Sequence, residues 1–385
     1  MNKALNMLVL SDVHLGHRTT STEHIVQSLS YLIRDDSRFA ELDLLFIAGD
    51  LFDRLLYLPS PEVDLIYKWL NFLLRLCKKH DVVLRVLEGT PSHDNKQPSL
   101  ITSINNESGI GCDVKYVDIL DIEYIDRFDI HVLYIPDEWM PDCGMVLAEV
   151  KNKLKECKLE QVDFAIMHGQ FDYQVPSKLL NTIPNHNSEE YLKLVKYLIF
   201  IGHVHSHSQY ERIIAQGSTD RLRHGEEDDK GIVRATVYPN GEYDLSFIIN
   251  HNAKVYKTVD LMHIPENEVY NKVMSIIREL PDGSYIRLLL TSSTFNSELV
   301  KELKKQYTQF NWSTLTERSV NYTKEVAKPQ VTVQMEAIRK DTLPKMVHTR
   351  VEHSRDLKTA DSVIEILKEI MDGHATSNAI SEETG

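Results

Sequence analysis

Leu44-Leu45-Phe46-Ile47-Ala48-Gly49-Asp50-Leu51-Phe52-Asp53 is an apolar run that stops on a carboxylate. Five strand-forming residues in a row read as an apolar strand. The pattern recurs four times. Met7–Leu10 leads to Asp12-Val13-His14, Val82–Leu87 to His93-Asp94, Phe164–Met167 to His168-Gly169, and Leu198–Ile201 to Gly202-His203-Val204-His205. One Asp or His after a strand is an ordinary turn former. Five in series place carboxylates and imidazoles along the carboxyl edge of a sheet, which is where open α/β sheets bind ligands. Asp and His together suit Mn²⁺, Fe²⁺ or Zn²⁺ better than Ca²⁺.

Helical patterns fill the gaps between these strands. Ile25, Leu29, Leu32 and Ile33 form one apolar face, and Leu65, Trp69, Phe72, Leu73 and Leu76 form another. Strand–helix alternation predicts an α/β domain with parallel pairing over residues 1–250. Ile232–Ile249, alternating around Pro239-Asn240-Gly241, predicts a hairpin. A different texture begins near Asn252. Val255–Leu261 and Tyr285–Leu290 read as strands, Glu266–Leu280 and Ser297–Tyr307 as helices, which makes a small α+β cap over residues 251–328. The remainder, 329–385, reads as a polar linker, then a helix with its stripe at Leu357, Ala360, Ile364, Leu367 and Met371, closed by Gly373.

At 385 residues the chain suggests two or three units. No apolar run approaches the ~20 residues of a membrane helix, and Met1-Asn2-Lys3-Ala4-Leu5 leads straight into a strand without room for a signal peptide. Cys77, Cys112, Cys143 and Cys157 show no Cys-x-x-Cys spacing and read as reduced intracellular thiols, so a cytoplasmic location is expected. The net charge of -14 is not the basic footprint of a nucleic-acid binder. The cap residues Lys254, Lys257, Lys272, Arg278, Arg287, Lys301, Lys304 and Lys305 are largely offset by acids.

The motif series resembles the calcineurin-like metallophosphoesterases. More narrowly, it resembles the SbcD-type double-strand-break-repair nucleases and their phage counterparts. Asp12-Val13-His14-Leu15-Gly16 and Gly49-Asp50-Leu51-Phe52-Asp53 carry the narrower likeness, with Gly217-Ser218-Thr219-Asp220-Arg221-Leu222, an acidic run and Lys230-Gly231. The resemblance implies a two-sheet sandwich flanked by helices, with a small cap and a helical tail. It implies two divalent metal ions, Mn²⁺ first and Mg²⁺ or Fe²⁺ next. Asp12, His14 and His205 would hold one ion, His168 and His203 the other, and Asp50 would bridge them. In-line phosphodiester hydrolysis makes the same demand, since charge builds on both the attacking and the leaving oxygen. His93 would orient the phosphate and protonate the leaving oxygen, and Asp94 would steady His93 and keep it protonated. The implied partners are DNA, an SbcC-type ATPase docked on the C-terminal helix, and a second copy of the chain.

One motif departs from the family. The usual Gly-Asn-His-Asp is replaced by Gly89-Thr90-Pro91-Ser92-His93-Asp94, with Ser92 in the asparagine's place as a ligand of the second metal. A hydroxyl is a weaker neutral ligand than an amide carbonyl, so a weaker second site is expected. Asp53 and His207 read as supporting residues, and His17 and Arg18 as an exposed loop pair. Ser218 and Arg221 are candidates for a bracing loop, while His24, His80, His131 and His186 carry no spacing signal. Two rival readings use the same residues. One is a phosphodiesterase or phosphatase acting on a small nucleotide or phosphoprotein. The other is a subunit with a decayed site.

Overall fold

The computed structural model describes residues 3–57, 60–137, 142–291 and 298–316. The chain divides into units 1–323 and 324–385, and the second lies outside the described residues. The linker and helix expected over 329–385 therefore lie outside them too.

In chain order the first half runs β1 (Leu5–Leu10), α1 (Thr22–Leu32), α2 (Ser37–Ala40), β2 (Leu44–Ala48), α3 (Pro61–His80), β3 (Val83–Leu87), α4 (Pro91–Asp94), α5 (Leu100–Glu107) and β4 (Val114–Val117). There follow β5 (Asp121–Ile125), β6 (Ile130–Ile135), α6 (Cys143–Glu156), β7 (Val162–Gly169), α7 (Ser188–Leu194), β8 (Val195–His203), β9 (Ser208–Tyr210) and β10 (Ile213–Ala215). The hairpin β11 (Gly231–Val237) and β12 (Tyr243–Ile249) comes next. Among the described residues these strands form two mixed six-stranded sheets, ordered β12-β11-β1-β2-β3-β4 and β5-β6-β7-β8-β10-β9.

The expected two-sheet sandwich flanked by helices is what forms, and side-chain alternation builds it. Leu44 and Phe46 point from β2 into the layer between the sheets, where they meet Val132, Tyr134, Phe164, Ile166, Leu198 and Phe200. Leu45 and Ile47 point the other way, to Ile25 and Leu29 of α1 and Trp69 and Leu73 of α3. On the far side Val146 and Val150 of α6 and Tyr191 of α7 cover Ala165, Met167, Ile199 and Ile201. The central strands are covered on both faces, which is why their sequences are largely apolar. The buried face of α3 is Ile66, Trp69, Leu70, Leu73, Leu74, Leu76 and Cys77. Of the face expected from the sequence, Trp69, Leu73 and Leu76 are buried, Leu65 is partly buried and Phe72 alone stands exposed.

The hairpin lies where the sequence placed it, with Gly241 at φ +91° in its turn. It lengthens the first sheet, with β11 antiparallel to β1. Beyond it β13 (Tyr256–Asp260), α8 (Glu266–Ile277), β14 (Tyr285–Leu290), α9 (Glu298–Gln306) and β15 (Asn311–Thr316) build a parallel three-stranded sheet. This sheet has its own core, including Val259, Val273, Ile286, Leu288 and Leu303. No described helix is long and apolar enough to cross a membrane.

Candidate metal centre

The central parallel strands end along one edge, and the turns that follow are strained. Asp12, His14, Asp50 and His203 have φ of 50°, 55°, 50° and 99°. Left-handed backbone at a non-glycine residue costs on the order of 1–3 kcal/mol and concentrates at functional sites. Here it turns each side chain back over the edge. Gly89 lets the third strand's exit pass close by, since a β-carbon there would strike the main-chain nitrogen of Asp50.

Three overlapping groups result: Asp12, His14 and His205; His14, Asp50 and His93; and Asp50, His168 and His203. The candidate ligand atoms of each lie within 4.8 Å of one another. His14 Nε2 is 3.2 Å from His205 Nε2, and His205 Nε2 is 3.7 Å from Asp12 Oδ1. The two oxygens of Asp50 diverge. Oδ1 faces His168 Nε2 at 3.3 Å, whereas Oδ2 faces His93 Nδ1 at 2.9 Å and His14 Nε2 at 3.8 Å. Asp12, His14, Asp50 and His168 are buried, while His93, His203 and His205 are partly open.

Whether such groups suit a cation is answered by the far side of each imidazole. His168 Nδ1 donates to the carbonyl of Ala48 at 2.7 Å. Its Nε2 is left inside the centre, buried, without a hydrogen bond and 3.3 Å from Asp50 Oδ1. His205 Nδ1 is fixed by Glu226 Oε1 at 2.9 Å, while His14 Nδ1 lies 3.2 Å from Asp53 Oδ1 without a hydrogen bond. Fixing one ring nitrogen aims the other, which is how ligating histidines are oriented. The buried His and Asp groups fit divalent cations.

The electrostatics agree. Burial pushes the Asp50 carboxyl up, but His168, His93 and His14 outweigh it and hold the group well below the carboxylate range. A divalent cation can replace the proton on His168 that otherwise balances this charge. His93 is raised by its bond to Asp50, against burial. Burial works against the charge on His205, but Glu226 and Asp12 raise it.

The structure thus brings together Asp12, His14, Asp50, His93, His168, His203 and His205. Ser92 is not brought in. Pro91 starts a one-turn helix that leaves Ser92 exposed, its carbonyl accepting from Asn95. Thr90 stands at Asp50 instead, with its N–H donating to Oδ1 at 2.6 Å and its Oγ1 3.4 Å from Oδ2. Asp94 does not touch His93 among the described contacts. It accepts from the N–H groups of Phe52 and Gly89 and so ties the exits of β2 and β3 together. Burial and the nearby Asp50 charge push its carboxyl up to about 8.

The Gly217–Gly231 segment backs the first group. Ser218 N–H and Lys230 Nζ both donate to the His205 carbonyl, at 3.0 and 2.8 Å, and Arg221 reaches the Lys254 carbonyl. His207 stacks on Phe247 and bonds the Ala215 carbonyl, away from the centre. His24 bonds Asp220, and His186 is buried.

Sequence reading missed Glu226 and Asp137. Asp137 follows the apolar strand β6, so the signal that marked Asp50 was present there as well. Its Oδ2 lies 3.2 Å from Thr90 Oγ1 and 3.5 Å from His203 Nδ1.

No family model matches the chain, and no curated protein does. Among solved structures, TT1561 of Thermus thermophilus is similar at 11% identity and a TM-score of 0.34, over 63% of this chain and 99% of that one. A second solved structure shares 12% identity at the same TM-score of 0.34 and the same coverage of 63% and 99%. The chemistry of the site rests on its own residues.

Proposed function

We propose that this chain is a dinuclear-metal-dependent phosphodiesterase that cleaves DNA as exonuclease and endonuclease, the nuclease subunit of an SbcCD-like repair and recombination complex. The observation that carries the chemistry is Asp50, whose oxygens serve two ligand groups at once. Two divalent cations held there, Mn²⁺ first and Mg²⁺ or Fe²⁺ as alternatives, supply charge neutralisation and an acidified water. The chain's own residues do the rest. Asp12, His14 and His205 would hold one ion and His168 and His203 the other, with Asp50 contributing to both. His93 has its Nδ1 tied to Asp50 at 2.9 Å, which leaves Nε2 to bring a proton to the leaving oxygen.

DNA as substrate is supported by the likeness of the Gly217–Gly231 segment to SbcD-type sequences, and by the added cap. The proposed partners are DNA, an SbcC-type ATPase docked on the C-terminal helix, and a second copy of the chain. A cytoplasmic location goes with that reading. One observation favours a smaller substrate. A cavity of about 350 Å³ opens beside Asp137, lined also by Glu88, Pro91, Asn95, Lys96 and Asp118. That is the low end of the range for small-molecule sites.

Labelled linear DNA and a small chromogenic diester, each assayed with Mn²⁺ and with Mg²⁺, separate the two. Metal-dependent shortening of the DNA is expected. Activity on the diester alone would move the assignment to a small-nucleotide phosphodiesterase.

A further inference from the structure

We infer that Asp137 is a direct ligand of the second metal ion and fills the place that Ser92 does not reach. The inference rests on the dinuclear reading above and concerns which residues complete it.

Three neighbouring parallel strands, β6, β7 and β8, deliver Asp137, His168 and His203 to one edge. Asp137 also lies alongside Gly169, the residue after His168: a β-carbon built there would sit 3.5 Å from Asp137 Oδ1. Its Oδ2 is 3.5 Å from His203 Nδ1. Thr90 Oγ1 then links it to Asp50, at 3.2 Å on one side and 3.4 Å on the other. Adjacent donors around an ion with bonds of about 2.0–2.3 Å lie about 2.8–3.8 Å apart, from octahedral to tetrahedral geometry. The Asp137–His203 separation falls in that interval, as does the 3.3 Å between Asp50 Oδ1 and His168 Nε2.

A carboxylate near an imidazole can instead serve to orient it. The distances argue against that here. The acceptors that fix His168 and His205 stand at 2.7 and 2.9 Å from Nδ1. Asp137 stands 3.5 Å from His203, beyond the ~2.7–2.9 Å of a charge-assisted hydrogen bond. At that spacing the two groups suit a shared ion better than a shared proton. The consequence reverses the expectation drawn from Ser92. An anionic oxygen in place of a neutral one strengthens the second site and favours hard cations.

The test is a calorimetric Mn²⁺ titration of the full chain and of Asp137→Ala, Asp137→Asn and Thr90→Val, with thermal melts of the metal-free proteins as a check on folding. Two sites are expected in the wild type. Asp137→Ala should weaken the second by about 10- to 100-fold and leave the first unchanged, with Asp137→Asn in between. Thr90→Val should keep both. Wild-type affinity at both sites in Asp137→Ala, or loss of the second site in Thr90→Val alone, would overturn the assignment while leaving two ions in place. A wild type that binds no Mn²⁺ would remove the dinuclear reading itself. A Mn²⁺-loaded structure decides the remaining point and stands even if a variant fails to fold. An Asp137 oxygen bonded to the second ion supports a ligand; one beyond about 3 Å, hydrogen-bonded to His203, makes it an orienting residue and sinks the proposal.

Discussion

In the Asp12, His14 and His205 group the two histidines stand against carboxylates; in the Asp50, His168 and His203 group, His168 and Asp50 lean on backbone. Behind His14 stands Asp53, and behind His205 stands Glu226, itself bonded by the Leu222 N–H. Behind His168 stands only the carbonyl of Ala48, and Thr90 N–H holds Asp50. A carboxylate behind an imidazole raises its strength as a ligand, whereas a carbonyl mainly fixes its direction. The first group can therefore be tuned by side chains on distant loops. The second is built into the strand ends and is harder to perturb from outside.

The largest expected effect removes the comparison altogether. Asp50→Ala should abolish binding of both ions and all cleavage, since one Asp50 oxygen faces His168 of the second group and the other faces His14 of the first. Calorimetry that finds one site at full affinity would mean the groups are independent. Next, His93→Ala should lower cleavage by about 10²- to 10⁴-fold with both ions retained. A variant that loses an ion would show His93 to be a ligand, as its membership of the middle group allows.

A smaller effect sharpens the contrast. Glu226→Gln should weaken the first site by about 10- to 100-fold and spare the second. It also carries a pH signature. Burial opposes ionisation of Glu226, but His205, the Leu222 N–H and Lys230 hold its carboxyl down at about 2, from near 4.5. A lowered carboxyl stabilises the fold above its unfolded value and loses that contribution as pH falls. The metal-free wild type should thus lose melting temperature between pH 4.5 and pH 2, and Glu226→Gln should lose less. Parallel melting curves for the two proteins would remove Glu226 from the account. The smallest effect is expected at Ser92. Ser92→Ala should change stability by no more than about 0.5 kcal/mol and keep both ions; loss of one would return Ser92 to the centre.

What was legible in the sequence follows the same divide. Asp12, Asp50, His168 and His203 come directly off apolar strands, so one pattern exposed both the sheet and its edge. Glu226 was hidden because it lies in a loop 21 residues after His205, without periodicity to mark it. Asp137 was hidden because a lone Asp after a strand is common. The Thr90–Ser92 choice turned on a one-turn helix that two inserted residues create, which spacing alone does not reveal. The strands β4 and β5 escaped notice because they carry Lys115, Asp121 and Glu123. These polar residues form a network with Arg85 on β3, whose guanidinium reaches Glu123 at 2.9 Å. The cap strand β15 was missed as well, being only partly buried.

The centre straddles the sandwich. Asp12, His14 and Asp50 leave the first sheet, while His168, His203 and His205 leave the second or follow directly on it. Ions held across that divide are cross-links. A cation shared by Asp50 and His168 ties chain positions about 120 residues apart and, like a staple closing a long loop, removes freedom from the unfolded chain. Chelation should then loosen the seam between the sheets. Amide protons on either side of it, in β2 and in β7, should exchange faster together once the ions are gone.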